Sequence, residues 1–286
     1  MPLLVWRDKA LASMALAALL SAAMIAPATA QQSSAPPRFA RDLMWGWVPV
    51  GSAAAGFTAI PGRVPPLADD PAHPYVPNNN PEGRQPTDRI ADLSNPNLKP
   101  SVKAAMKKDV DEILAGKIAF TPRSSCLPPG IPNFMAYGGG GNATYIVQTP
   151  KEVWMLFTGG QEVRRIYLDV LHTANPKLSW YGESVGHYEG DTLVVDTIAQ
   201  TTRTFVDPYR TPHSEKLHVM ERWRLADSDR ALEVTVTVED PDTYYQPWSG
   251  LRRYRRVDEV FFEHICAENN QQQVDWHIPV ANKPDF

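Results

Sequence analysis

From residue 143 onward, apolar and polar side chains alternate in short runs separated by turn residues. This is the two-residue period of a strand with one buried face. The runs predict strands over 143–149, 152–158, 163–169, 183–189, 191–199, 216–225, 231–239 and 251–266. Glu189-Gly190-Asp191 and Ala226-Asp227-Ser228-Asp229 have the composition of hairpin turns. The expected fold is therefore mainly β: an antiparallel, calycin-like barrel or sandwich of about eight strands, occupying residues 134–286.

The pattern upstream is different. Residues 31–133 hold 17 of the 27 prolines. Stretches such as Pro61-Gly62-Arg63-Val64-Pro65-Pro66 sustain neither a helix nor a central strand. A proline-rich extended arm is expected here, interrupted by one helix near 101–115. In that helix Ser101 is a candidate cap, Val102, Met106, Val110, Ile113 and Leu114 form a stripe, and Gly116 is the stop. Residues 1–30 read as a cleaved signal peptide. Arg7 and Lys9 precede the apolar run Ala10 to Ala26, and Ala28-Thr29-Ala30 supplies the small-x-small cleavage tripeptide. The run is short for a bilayer span, so the mature chain is expected to be periplasmic or secreted, without stable membrane insertion. Its loss moves the net charge from −4 to −5, since it carries Arg7, Asp8 and Lys9. That mild acidity gives no reason to expect nucleic acid. The basic cluster Arg252-Arg253-Tyr254-Arg255-Arg256 lies in a strand, where alternation splits it between two faces. In an oxidising compartment the two cysteines, Cys126 and Cys266, are expected to pair.

Alternation also sorts the polar groups by face. In 216–225, Glu221 shares its face with Leu217, Val219, Trp223 and Leu225. Asp240 continues the apolar face of 231–239, Asp196 lies on one face of a strand apolar on both, and His264 shares a face with Tyr254. A carboxylate among apolar neighbours must be paired or have a raised pKa. The plain alternative for Glu221 is an ion pair with Arg165, Arg253 or Arg255. The densest polar stretch, Asp207 to Arg222, adds His213 and His218. Candidate catalytic residues are thus Glu221, His213, His218, Asp196 and Asp240. Candidate ligand contacts are Trp223, Tyr244, Trp248 and Tyr188, for a small apolar or aromatic molecule. The His213/His218 spacing matches no established zinc motif, so no metal is expected, and no cofactor either. Gly138 to Gly141 lacks the Lys-Ser/Thr of a phosphate loop. Gly182-Glu183-Ser184-Val185-Gly186 has the letters of a nucleophile elbow, but no helix follows it.

Several strings stand together in order: Gly186-His187-Tyr188-Glu189-Gly190-Asp191-Thr192-Leu193-Val194-Val195-Asp196-Thr197, then Pro212-His213-Ser214-Glu215-Lys216-Leu217-His218-Val219-Met220-Glu221-Arg222, then Glu239-Asp240-Pro241 through Pro247-Trp248. With Cys126-Leu127-Pro128-Pro129-Gly130 before and Cys266-Ala267-Glu268-Asn269 after, residues 118–270 resemble a large family of exported, mostly uncharacterised bacterial proteins. The resemblance implies a localisation and no activity. His187-Tyr188 replaces the Arg-Trp usual in that family, and Asp169-Val170-Leu171 its Asp-Gly-Arg.

Three functions fit these features. The first is an exported enzyme using cofactor-independent acid–base chemistry as a lyase, isomerase or hydrolase. The second is a non-catalytic periplasmic small-molecule-binding protein. The third is an envelope interaction protein that docks through residues 31–100. The sequence leaves the oligomeric state open.

Overall fold

The computed structural model describes residues 39, 45–51, 56–75, 89–115, 122, 126–136, 143–158, 162–258, 261, 263 and 265. The predicted signal segment, His264 and Cys266 lie outside them. All eight predicted strands form, seven with ends shifted by a few residues, whereas the strand expected over 251–266 ends at Val257 and the described residues 258, 261, 263 and 265 are not strand. The eight strands are β3 (Thr144–Gln148), β4 (Glu152–Phe157), β5 (Glu162–Leu168), β6 (Glu183–Glu189), β7 (Thr192–Ile198), β8 (His218–Ala226), β9 (Ala231–Glu239) and β10 (Trp248–Val257). Two further strands come from the proline-rich half: β1 (Gly46–Pro49) and β2 (Thr58–Ala59).

Strand order is β1-β3-β4-β5-β6-β7-β8-β9-β10, and β1 pairs again with β10. The sheet therefore closes on itself as a nine-strand barrel, which removes its free edges. Both β1 and β2 run antiparallel to β10, β1 along Tyr254 to Val257 and β2 along Gly250 and Leu251. Together they act as one interrupted strand, so part of the expected arm is a stave of the barrel.

The pairing is antiparallel except between β5 and β6, which are parallel. A parallel pair cannot be joined by a hairpin, so residues 169–182 cross over between them. Gly186 sits at the tight point of this arrangement. A Cβ there would lie 2.8 Å from the Val194 carbonyl oxygen and 3.0 Å from Ile166 Cγ2. Elsewhere the expected turns hold. Gly190, at φ +62°, and Asp191 link β6 to β7.

The inward face collects Met155, Ile166, Leu193, Val195, Val219, Trp223, Val234, Val236 and Tyr254, all buried. Trp223 and Tyr254 stack at a ring distance of 5.8 Å. Leu193, Val195 and Thr197 pair with Trp223, Glu221 and Val219, which settles the ambiguous register of β7. Asp196 therefore points outward, not into the apolar interior.

Helix α1 spans Pro100–Leu114. Its start differs from expectation: Lys99 occupies the N-cap without a side-chain cap, and Pro100 begins the helix, where its missing N–H costs nothing. Of the predicted stripe only Val102 and Met106 are buried, while Leu114 is exposed. The helix entry is fixed by its neighbours. Lys99 N donates to the Thr243 carbonyl at 3.0 Å, and Gln246 N donates to Asn97 Oδ1 at 2.9 Å. Among the described residues no helix is long and apolar enough to cross a membrane.

Candidate functional site

The predicted catalytic residues separate into three environments. Glu221 lies fully buried inside the barrel and is bound at both oxygens by Arg164, at 2.7 and 2.8 Å. Trp223 Nε1 donates to Glu221 Oε2 at 2.8 Å. Arg164 also donates to Thr197 Oγ1 at 2.9 Å and Ser184 Oγ at 3.1 Å, and its cation lies over the Phe134 ring. The partner is thus Arg164, not Arg165, Arg253 or Arg255. Alternation on β5 explains this. Arg164, Ile166 and Leu168 point inward, while Arg165 points out to Glu152. Both carboxylate oxygens are thus committed to Arg164, and the side chain is shut off from solvent.

His213 and Asp240 serve the loop that enters β8. His213 is buried, which lowers its pKa and keeps the ring neutral. Its Nδ1–H donates to the Ser214 carbonyl at 2.9 Å, and Nε2 accepts from the Thr204 hydroxyl at 2.8 Å. Asp240 accepts from Ser214 N, Ser214 Oγ, Asp242 N and Thr243 Oγ1, all within 3.0 Å. Burial opposes its charge, but these donors outweigh it and keep the carboxyl below its ordinary range. Asp240 fastens the 207–217 loop to the β9–β10 connection, and His213 fastens it to Thr204.

Asp207 belongs to the same loop and behaves in the opposite way. Burial pushes its carboxyl up to about 6, although Thr211 and the Tyr209 amide donate to it. A folded pKa above the unfolded value of about 3.9 favours folding below that value, and the benefit is lost as pH rises through about 6. Relative to Asp207→Asn, the parent protein should therefore lose about 2 kcal/mol of stability between pH 4 and pH 7. Urea denaturation of the two proteins at both pH values measures this. An unchanged difference would show that the Asp207 charge is not penalised.

The third environment is open to solvent, on the outward face of β6, β7 and β8. His218 Nε2 donates to Asp196 Oδ1 at 2.8 Å, and His172 Nε2 donates to the same oxygen at 3.1 Å. His172 Nδ1 faces Glu183 Oε1 at 2.9 Å, and Thr173 N and Oγ1 hold Glu183 in place. Each end is positioned by the fold. The crossover 169–182 lays His172 over Glu183, and the β7–β8 register brings His218 beside Asp196. His172 thus has a carboxylate at each ring nitrogen. His218 commits only one, because its Nδ1 stands 3.9 Å from Glu239 Oε2, beyond hydrogen-bond reach.

The electrostatics follow from these contacts. The bond to Asp196 raises the His218 pKa against the opposing effect of burial. Burial alone would raise the Asp196 carboxyl, but the bonds from His218 and His172 outweigh it and hold it below the usual range. Glu183 is depressed in the same way, by Thr173 and His172 against burial. Met220, the register partner of Asp196, and Leu171, next to His172, expose apolar surface beside the cluster.

No family model, curated protein or solved structure matches this chain. The geometry therefore stands alone. Of the five predicted catalytic residues, the fold brings together Asp196 and His218. His172 and Glu183 complete the cluster and were not singled out in the sequence. Glu183 lies two positions before Val185, the β6 register partner of Asp196, and His172 reaches both carboxylates from the crossover, which strand alternation does not reveal.

The four predicted ligand aromatics lie elsewhere. Trp223 is inside the barrel on Glu221. Tyr244 and Trp248 are buried edge-to-face against each other, and Trp248 also packs on Phe57. Tyr188 is half-buried and its hydroxyl accepts from Gln148 Nε2 at 2.7 Å. Among the described residues no group of three or more His, Cys, Asp or Glu is arranged to hold a metal.

Proposed function

We propose that the protein is an exported enzyme that moves protons on a small, largely apolar organic molecule with its own side chains, as a lyase, isomerase or hydrolase. One observation carries this reading: Asp196 Oδ1 accepts from two imidazoles at a solvent-accessible position. In this reading the carboxylate fixes the His218 tautomer and leaves Nδ1 free to take a proton from a substrate. His172, clamped between Glu183 and Asp196, is a positioning residue. Met220 and Leu171 offer the apolar contact. The bond to Asp196 raises the His218 pKa, so the ring holds a proton it takes up more firmly.

The test is turnover of a panel of small esters, lactones and carbonyl compounds bearing an acidic α-proton. His218→Gln should lower kcat about 10²–10⁴-fold while the circular dichroism spectrum is unchanged. Full activity in that variant would remove His218 from the chemistry. Stabilisation by a panel compound that is recovered unchanged would favour a binding protein instead.

We also propose that the chain is a periplasmic or secreted member of the family its motif series resembles, with Cys126 joined to Cys266. The export-type N-terminus and the cysteine pair support this. Intact-mass measurement of protein recovered from the producing cell should find a chain beginning at Gln31 with no free thiol. A retained leader or two titratable thiols would count against it.

A further inference from the structure

Two segments of the proline-rich half line a cleft of ≈ 640 Å³, and they differ in character. Phe57, Val64, Pro66 and Leu67 make one part of the lining apolar. The other part runs from Arg89 to Asn97 and carries Asp92, Ser94 and Asn95. The volume lies within the range of small-molecule sites. No residue of the His218 cluster takes part in it.

Backbone hydrogen bonds tie the two segments together. Asp70 N donates to the Ile90 carbonyl at 2.9 Å, and Asp92 N donates to the Ala68 carbonyl at 3.0 Å. The apolar segment is in turn seated on the barrel. Ser249 N donates to the Val64 carbonyl at 2.9 Å, and β2 pairs with Gly250 and Leu251. The cleft is therefore preformed, and Asp92 is fixed beside Ala68, the residue that follows Leu67 in the apolar lining.

Three charged residues line the cleft: Asp69, Arg89 and Asp92. Two of them cancel. Arg89 Nη1 donates to both oxygens of Asp69 at 2.7 Å. Asp92 is different. Its Oδ1 accepts from Ser94 N at 2.9 Å, which shapes the turn, and among the described residues neither a cation nor a donor engages Oδ2. The lining thus carries one net negative charge, on a carboxylate with a free oxygen held against hydrocarbon. The complement of that surface is a hydrogen-bonding cation on an apolar body.

We propose that this cleft binds a small primary ammonium compound with an apolar body, its ammonium on Asp92 and its hydrocarbon part along Phe57 to Leu67. The site is independent of the proton chemistry proposed for His218, and its occupant is a ligand whether or not that chemistry exists.

Octylammonium, 1-octanol and ethylammonium serve as probes in calorimetry at neutral pH. The full-length protein should bind octylammonium at least about 10-fold more tightly than octanol, because the alcohol brings no charge to Asp92. Ethylammonium should bind more weakly than octylammonium, because it leaves the apolar lining uncovered. Asp92→Asn keeps the acceptor for Ser94 N, so the turn and the melting temperature should be preserved. In that variant the preference for octylammonium over octanol should vanish, while octanol binds as before. Val64→Trp narrows the cleft at a half-buried position and leaves Asp92 intact. It should weaken octylammonium and octanol alike and keep the preference for the cation. Equal affinity for octylammonium and octanol, undiminished preference in Asp92→Asn, or no octylammonium binding would each overturn the proposal. Ethylammonium binding as tightly as octylammonium, or octanol unaffected by Val64→Trp, would overturn its apolar half.

Discussion

Glu221→Gln is expected to destabilise the protein by about 3–5 kcal/mol in chemical denaturation. Glu221 is fully buried, and Arg164 beside it is 2% exposed. Removing the carboxylate charge leaves the guanidinium uncompensated inside a low-dielectric barrel, and that is the dominant cost. The Trp223 indole loses little, because the glutamine oxygen still accepts its N–H. Arg164→Met should cost a similar amount by stranding Glu221. The pair is informative in combination. Arg164→Met/Glu221→Leu fills the same volume with apolar atoms, and Ser184 and Thr197 already bond to each other at 2.9 Å, so their hydroxyls keep a partner. The double variant should therefore recover part of the loss, because replacing a buried ion pair by packed apolar groups is often neutral or better, the remainder being the cost of the Trp223 N–H, which loses its acceptor. A fully stable Glu221→Gln protein that had lost turnover would instead return Glu221 to the role of catalytic acid.

Much of this fold was legible in the chain because its strands are half-buried. Period-two alternation located all eight strands of the C-terminal half, and the two-residue turn at Gly190-Asp191 set the β6–β7 register. The same signal failed where both faces are covered. In β7, Val194 and Val195 are both buried, so alternation left Asp196 unassigned, and only its pairing with Met220 places it outside. Closure was hidden for another reason. β1 is four residues long and ends at Pro49, which suits an interrupted strand and carries almost no periodic signal. The Arg164–Glu221 pair was half legible. The carboxylate on an apolar face was evident, but choosing between neighbouring Arg164 and Arg165 needed the phase of β5. His172 lay beyond the reach of any local pattern, since its two carboxylates arrive from strands on the far side of a crossover.

Asp196→Asn is the change expected to have the largest effect on chemistry with little effect on the fold. The asparagine oxygen still accepts one imidazole N–H but carries no charge, so the bond that raises the His218 pKa is weakened. Ring-proton titration by NMR should then show His218 titrating at lower pH than in the parent protein, with or without a known substrate. The stability consequence has a definite window. The contribution from His218 is complete below its unfolded value of about 6.5 and is lost as pH rises through the raised folded value. The contribution from Asp196 is complete above about 3.9 and is lost as pH falls through its depressed folded value. Parent and variant should therefore differ most in melting temperature between about pH 4 and pH 6.5 and converge on either side. In kinetics, kcat should fall about 10²–10⁴-fold, and the acid limb of the kcat/KM profile should move to lower pH. Glu239→Gln is the control. At 3.9 Å from His218 Nδ1, Glu239 contributes a weaker pull, and its removal should shift the His218 titration far less. If Asp196→Asn left both the titration and the pH profile where they were, the carboxylate would be a bystander between two surface histidines, and the proton chemistry assigned to this face would have no basis.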